Sequence, residues 1–586
     1  LNITDLAVTP PPPLAMADLV IVGGGPVGLT IAREFFGTAL SVLVIESGGR
    51  MENEESAELN RVESTGEPNS PAQTKKREEF HGALAKHWRP DIQPFGLRCR
   101  ALGGSTQAWA AKSAIFDPID FEARDWIPRS GWPVSSDALA PYFDRAAIAM
   151  NLGPNTYGEE FWEQAGQTPP QPGFDRSLLR PFFWQFARSR IDPIDVMRFG
   201  EEFIRESADN VSLLLNATAT AIRTCLDGRQ VNEIEVAAPD GTRMRVTGRH
   251  FVLAAGGIEN ARLLLASGIG NQNDQVGRCL MDHPSVRIAR FGHKHAHKLN
   301  KRFGFVALNH EGRVHLYMHG LSLSPDIQRA EKLHHTALYM LEDRAPDDPL
   351  MAIKRLVWQQ SKTPLSDIWS VIKSPAMVFK AFVVKMLQSR RVPKLLKDIL
   401  VNMTILFNPS FVAREFQSGG LPHKLIGLNV DAIAEQAPDS ESRVTLSGAT
   451  DRFGVPLARI HWTIDPAARH SLLRIAEIMA AEFARTGLPA PELESWVTEK
   501  NPDEAVIIDM GHTLGTTRMS LRPEDGVVDT ELRVHGMDNL SVAGGSVFPT
   551  SGHANPTLMM VSLAIRLADR LKHVLTAPDE LERRCA

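Results

Sequence analysis

The sequence predicts an α/β fold, α+β overall, in which a Rossmann-like unit shares the chain with a second, sheet-based body carrying helices. Three observations carry this prediction. Residues 18–50 follow the rhythm strand, glycine turn, helix, strand. At 586 residues the chain is too long for one simple core, so two domains are expected. Glycine- and histidine-bearing segments at 511–516 and 551–558 return to the style of the N-terminal turn after a middle stretch of different character.

The elements follow in order. Leu19 to Val22 is a short buried strand, Pro26 to Phe36 has helical apolar spacing, and Ser41 to Ile45 is a second buried strand ending at Glu46. Residues 51–97 are polar and loop-like. Residues 211–254 read as strands joined by turns at Asp227-Gly228 and Asp240-Gly241. They end in a further strand and glycine turn at His250–Gly257, with a helix from Glu259 to Ala266. Roughly 290–500 reads as the separate body, helical and basic across 351–400 and strand-like from 428, with Ser442–Leu446 the clearest strand. No internal repeat stands out.

Composition narrows the function. With 43% hydrophobic and 23% charged residues the chain is of ordinary globular type. A net charge of −5 gives no reason to expect nucleic-acid binding. Cys99, Cys225, Cys279 and Cys585 are scattered, which argues against a disulfide framework and a zinc site and is compatible with a reducing compartment. The first fifteen residues lack Lys, Arg and a continuous apolar run, so no export signal is expected, and Met16 is a candidate start. No uninterrupted apolar stretch of about 18 residues is found, so the expectation is a cytoplasmic protein without a membrane span.

The chemistry rests on motifs at the two ends. Gly23-Gly24-Gly25-Pro26-Val27-Gly28 contains Gly-x-Gly-x-x-Gly directly after a strand. There Gly23 permits the tight turn, Gly25 lets backbone approach a pyrophosphate, and Gly28 permits close helix–strand packing. The following helix offers its N-terminal N–H groups to phosphate. Glu46, about 20 residues on, can accept from ribose hydroxyls and would repel a 2′-phosphate, which favours FAD or NAD over NADP. Arg100-Ala101-Leu102-Gly103-Gly104-Ser105-Thr106 reads either as a surface turn or as a second close approach of backbone to ligand.

About 480 residues after the first turn, His512 lies in Gly-His-x-x-Gly-Thr, and its imidazole can take a hydroxyl proton near neutral pH. Asn555-Pro556 reads as a helix start, with Asn as N-cap, before the apolar run from Leu558 to Leu567. That helix end can also favour negative charge on a bound cofactor. His553 is a second imidazole that could line the same pocket.

Taken together these segments resemble the glucose–methanol–choline (GMC) oxidoreductase family. The resemblance extends through Asp120-Phe121-Glu122, Ser130-Gly131-Trp132-Pro133, Ala254–Glu259 with Arg262-Leu263-Leu264, and Val276-Gly277-Arg278 with Asp282-His283-Pro284. It implies FAD held in a domain built from both chain ends (17–290 and 501–575), with an inserted substrate domain at 291–500. It implies cofactor contacts from Gly23, Gly25, Pro26, Val27, Gly28, Glu46, Ser47, Arg100, Gly103, Gly104, Ser105 and Thr106. Further contacts are expected from Ala219, Ala255, Gly256, Gly544, Gly545, Asn555, Pro556 and Thr557, with no metal.

By that likeness His512 matches the catalytic histidine and Asn555 its partner. His512 would take the hydroxyl proton, Asn555 would hold the oxygen, and hydride would pass to flavin N5; His553 is carried as a further catalytic candidate. Some members tether FAD through a histidine after the glycine pair. Here the segment is Ser105-Thr106-Gln107-Ala108-Trp109, so noncovalent FAD is expected.

The sequence variants are similar to the pyranose oxidase and sugar dehydrogenase branch, which implies a sugar or glycoside hydroxyl as substrate. A sterol-like or terpenoid alcohol is the first alternative, and a flavin-binding redox partner without turnover the second. The electron acceptor is oxygen or an unknown carrier. The basic segment 351–400 is expected to cap the substrate pocket, or alternatively to dock on an anionic membrane or an acidic carrier protein.

Overall fold

The computed structural model describes residues 1–576 except 68–69, 171–172, 194, 207, 345–348, 358–362, 376–377, 379–391, 408 and 410–424. Its first sheet has eight strands. They run Asn2–Asp5, Val211–Leu215, Val42–Ile45, Leu14–Val22, Arg243–Leu253, Val231–Ala237 and Thr218–Thr224, with Leu540–Val542 also paired to Arg243–Leu253. The central pairings are parallel, as expected where strands return through helical crossovers. Leu19, Val20 and Ile21 are fully buried, so this strand is apolar on both faces.

Register places the functional turns. Val22 pairs with both Ile45 and Leu253, and Leu253 pairs with Val542. Four parallel strands therefore end in one row, and the chain leaves them at Gly23, Glu46, Ala254 and Ala543. In an open α/β sheet the crevice beyond the strands' carboxyl ends is where ligands bind. Helices α1 (Pro26–Glu34) and α2 (Gly256–Ser267) start from two of these ends. The strand containing Met16 begins at Leu14, and Asn2–Asp5 forms an edge strand on Ser212–Leu215, so the residues before Met16 contribute to the sheet.

The second sheet is antiparallel: Glu492–Leu493, Ser285–Gly292, Leu425–Ala434, Thr336–Arg344, Arg313–Leu323, Leu179–Phe186 and Lys112–Ser113, with Phe305–His310 also paired to Arg313–Leu323. It thus draws strands from before residue 290 as well as from the middle of the chain. A small sheet joins Arg443–Thr450, Pro456–Trp462 and Val62–Gly66. Three further helices matter below: α3 (Pro364–Ile372), α4 (Lys394–Phe407) and α5 (Thr557–Thr576).

Two stretches differ from the sequence reading. Residues 51–97 are not loop-like: they hold the strand Val62–Gly66 and the helix Pro71–Leu84, started by a Ser70–Gln73 capping box. The region after 428 is not strand throughout, because Pro466–Arg485 is a 20-residue helix whose first turn is capped by Asp465. Cys225 is disulfide-bonded, and Cys99 and Cys279 are free and buried. Within 351–400, Lys362, Lys380, Lys385, Arg390 and Arg391 lie outside the described residues. No described helix is long and apolar enough to cross a membrane.

Candidate active site

A cavity of about 560 Å³ lies beyond the row of strand ends. One wall is built from the turns: Gly23, Gly25, Pro26, Val27, Glu46, Ser47, Ala255, Gly256, Gly544 and Gly545. Gly104, Ser105, Thr106, Ala219, Asn555, Pro556 and Thr557 complete it. The second sheet supplies the opposite wall through Lys112, Phe186, Met318, Tyr339, Leu341 and Ile433. The structure thus brings together nearly all the residues expected around a dinucleotide, although they come from both ends of the chain.

The glycines occupy sites that side chains could not. Gly23 has φ +113°, and a Cβ there would lie 2.5 Å from the Ala254 carbonyl oxygen. A Cβ on Gly28 would lie 2.0 Å from the Gly23 carbonyl oxygen, so Gly28 packs α1 against the turn instead of lining the cavity. Gly103 also stands behind the wall, where its N–H donates to the Gly24 carbonyl at 2.7 Å and ties the two glycine turns together.

Glu46 is buried, and its carboxylate accepts from the N–H groups of Gly24 (2.9 Å) and Gly48 (2.8 Å). Burial pushes its pKa up to about 7, against the lowering effect of those N–H groups. Each oxygen keeps a second lone pair for a ligand hydroxyl. Arg100 donates to Ser47 Oγ (3.0 Å) and pairs with Glu259 (3.0 Å), which holds a cation at the same wall. The Gly25 cap of α1 has no side-chain hydrogen bond, leaving the first N–H groups of the helix available to an anion. These features fit FAD.

His512 and Asn555 meet at the cavity, with Asn555 Nδ2 3.3 Å from His512 Nε2. Asn555 stands at the start of α5, but its Oδ1 has no hydrogen-bond partner among the described residues. Its side chain turns toward His512 instead of capping the helix.

A residue noted in sequence only as part of the family resemblance, and not as a site residue, then fixes the protonation of His512. His283 Nε2 lies 3.1 Å from the Ser551 carbonyl oxygen, and its Nδ1 lies 2.9 Å from His512 Nδ1. A carbonyl can only accept, so His283 carries its proton on Nε2 and presents a lone pair at Nδ1. His512 must therefore donate from Nδ1, and its Nε2, beside Asn555, is the bare nitrogen. Burial holds the pKa of His512 well below the usual range, aided by neighbouring His283 and Lys112; burial likewise lowers His283 to about 4.

The loop carrying His512 is pinned on both sides. Asp509 accepts from Arg77 Nε (2.7 Å), His81 Nε2 (2.9 Å) and the Gly96 N–H (2.9 Å). Asp282 accepts from the N–H groups of Met510 (2.9 Å) and His283 (2.7 Å). Lys112 is a second residue missed from sequence. It is half-buried, with Nζ 3.9 Å from the Trp184 ring centroid and 3.7 Å from that of Tyr339. Burial lowers its pKa well below that of a free lysine, while the two rings favour the charged form.

His553 does not line the cavity. It is fully buried, its ring centroid 3.9 Å from that of His335 and 4.5 Å from that of Phe182, and neither ring nitrogen has a hydrogen-bond partner among the described residues. His335 in turn pairs with Asp120 at 2.8 Å. Ligand atoms of His553, His335 and Asp120 lie within 4.8 Å of one another, a grouping of the kind that can hold a metal ion and one the sequence reading did not expect.

The chain resembles known proteins in sequence and in fold. Two models described as GMC oxidoreductase match, one over residues 199–285 and one over 438–564. The chain is similar to the fructose dehydrogenase large subunit of Gluconobacter japonicus, with 24% identity over 95% of this chain and 97% of that protein. It is also similar to paromamine 6'-oxidase of Streptomyces fradiae, with 23% identity over 94% of this chain and 90% of that one. A variant formate oxidase from Aspergillus oryzae, studied for its FAD modification, shares the fold with TM-score 0.55 at 17% identity over 96% of this chain and 99% of that one.

Proposed function

Because the chain belongs to the GMC oxidoreductase family of FAD-dependent enzymes acting on CH–OH donors, we propose that it oxidises a hydroxyl of a sugar or glycoside, with His512 as base. The observation that carries the proposal is the chain from Ser551 through His283 to His512, which leaves a bare Nε2 facing the cavity beside Asn555. A hydroxyl placed there gives its proton to His512 Nε2, while the Asn555 side chain holds the oxygen. As the C–O bond becomes a carbonyl, the same Asn555 N–H continues to hold that oxygen. The imidazolium that forms keeps its Nδ1 bond to His283, and the Asp509 carboxylate favours its charge. FAD held by the turn wall supplies the two-electron acceptor for the hydride leaving the carbinol carbon.

FAD is held without a covalent bond in this reading, because no histidine follows the Gly103-Gly104 pair on the cavity wall. Burial raises the thiol pKa of Cys99, on the same wall, which keeps it from acting as a nucleophile. The division into 17–290, 291–500 and 501–575 is part of the same proposal, with Lys112–Ser113 and Leu179–Phe186 as first-part insertions that join the substrate sheet. Removing 501–575 would delete His512 and Asn555 together with one turn of the cofactor wall.

The sugar assignment draws support from relatives named for fructose and paromamine. The apolar wall of Phe186, Met318, Leu341 and Ile433 favours, as the second reading, an apolar alcohol of terpenoid or sterol type. The test is anaerobic flavin bleaching across monosaccharides, aminosugars, glycosides and apolar alcohols. Bleaching by sugars or glycosides is expected. Bleaching by apolar alcohols alone would replace the assignment with the second reading, and a flavin that stays yellow throughout would refute alcohol turnover. Peroxide formation against dye reduction then identifies the acceptor.

A further inference from the structure

We propose that helices α3 and α4 form an in-plane docking face for an anionic lipid bilayer. The proposal does not depend on which alcohol the enzyme oxidises. It begins from exposed apolar side chains: ten of the eighteen large apolar residues exposed among the described residues lie on these two helices. On α3, Leu365, Ile368, Trp369 and Ile372 recur at helical spacing with exposures of 84%, 45%, 58% and 60%. The opposite side of α3 carries Asp367, buried and paired with Arg355 of the helix Pro349–Val357.

Helix α4 is oriented still more plainly. Lys397, Val401 and Ile405 are buried, and Asn402 accepts from Arg188 at 3.1 Å, so this side is anchored on the protein. At about 100° per residue those three positions span an arc of about 80°. Leu395, Leu396, Ile399, Leu400, Met403 and Leu406 are exposed and fall on a separate arc of about 140° on the other side. The helix is therefore fixed with its apolar stripe facing outward. A patch of this kind marks an interaction surface, because each such side chain gains from leaving water.

Charge identifies the occupant. Among the described residues of this face the exposed charges are Lys373 and Lys394, in a chain whose net charge is −5. Asp367 is already neutralised by Arg355. A second copy of this face would set the exposed Lys373 and Lys394 of one copy near those of the other, which opposes self-association. A bilayer with anionic headgroups meets both demands, taking the apolar stripes into its boundary and the flanking lysines at its charged surface. Lys373 and Lys394 are exposed beside the stripes, and Lys373 Nζ lies 5.2 Å from the Trp369 ring centroid, a cation and an aromatic ring placed together as at a membrane interface. At 9 and 14 residues, α3 and α4 are too short to cross a bilayer, so their contact is in-plane. Helix α4 packs on the strand Arg313–Leu323, whose Met318 lines the cavity, so the docked face lies one layer from the substrate wall.

The experiment is co-sedimentation of the FAD-loaded enzyme with vesicles of phosphatidylcholine alone and with vesicles of equal parts phosphatidylcholine and phosphatidylglycerol. Binding to the anionic vesicles is expected to be about tenfold stronger or more and to weaken with added salt. Ile399→Asp, on the outward arc, and the charge-reversing pair Lys373→Glu with Lys394→Glu should each remove most of that binding. Both should leave flavin reduction by a soluble substrate unchanged. If Ile399→Asp loses its flavin spectrum through misfolding, the charge-reversed pair decides. Equal binding to both vesicle types, no binding to either, or unchanged binding by the charge-reversed pair would overturn the proposal. So would a dimer in solution that Ile399→Asp dissociates.

Discussion

Replacing His283 by leucine tests whether the tautomer of His512 is set by its neighbour. In the native site His512 Nδ1–H donates to His283 Nδ1 at 2.9 Å. Leucine removes that acceptor and leaves a buried N–H unpaired, a loss of about 1–3 kcal/mol in a dehydrated site. The alternative tautomer, with the proton on Nε2, then competes and cannot accept from substrate. Raising the barrier by this amount slows the reductive half-reaction about 5- to 150-fold. His283→Asn retains a side-chain carbonyl that can accept from Nδ1–H, so most of the rate should return. The assay is anaerobic stopped-flow flavin reduction at saturating substrate, with the thermal midpoint and flavin spectrum of each variant as controls. A leucine variant that reduces flavin at the native rate would refute the reasoning. So would an asparagine variant as slow as leucine at equal thermal stability, since the histidine would then act only through packing.

Other predictions follow from the same geometry. His512→Ala should lower the rate of flavin reduction by about 10²- to 10⁴-fold with FAD still bound, measured by the same stopped-flow assay. Because burial holds His512 below the ordinary histidine range, kcat/KM should stay flat as pH falls from 8 through about 6.5 and decline only at lower pH. An acid limb centred near 6.5 would contradict the placement. Lys112→Met removes one of the positive groups that lower His512, so the acid limb in the same profile should move to higher pH. Gly28→Ala sets a Cβ 2.0 Å from the Gly23 carbonyl oxygen and should yield protein that purifies without flavin absorbance. Acid precipitation of the native enzyme should leave all flavin in the supernatant.

What could be read from sequence follows from where the stabilising contacts lie. The strand–turn–helix at 18–50 was legible because its glycines meet a local demand: Gly23 takes a backbone conformation that side chains disfavour, and Gly28 sits against the turn it follows. The helix Pro71–Leu84 was not legible as apolar periodicity because its buried residues are Gln73, Arg77 and His81. That face is polar, and two of its members bind Asp509, more than 400 residues away. Pro466–Arg485 does carry apolar residues at helical spacing, including Leu472, Ile475, Ala476 and Met479, behind an Asp-Pro start. The strand reading of the residues ahead of it was extended across that start.

The site residues divide along the same line. His512 and Asn555 stood out because glycines and a helix start flank them in sequence. His553, only two residues from Asn555, points away from the cavity into aromatic packing, so closeness along the chain was a poor guide across a turn. His283 and Lys112 lie 229 and 400 residues from His512, and nothing next to either in sequence names its partner. Yet His283, through a backbone carbonyl that can only accept, leaves His512 Nε2 bare, and burial keeps that nitrogen bare at neutral pH. A histidine motif can therefore nominate the base, but its protonation state comes from the second sheet and the loops packed behind it, and it is that state that makes the imidazole a base.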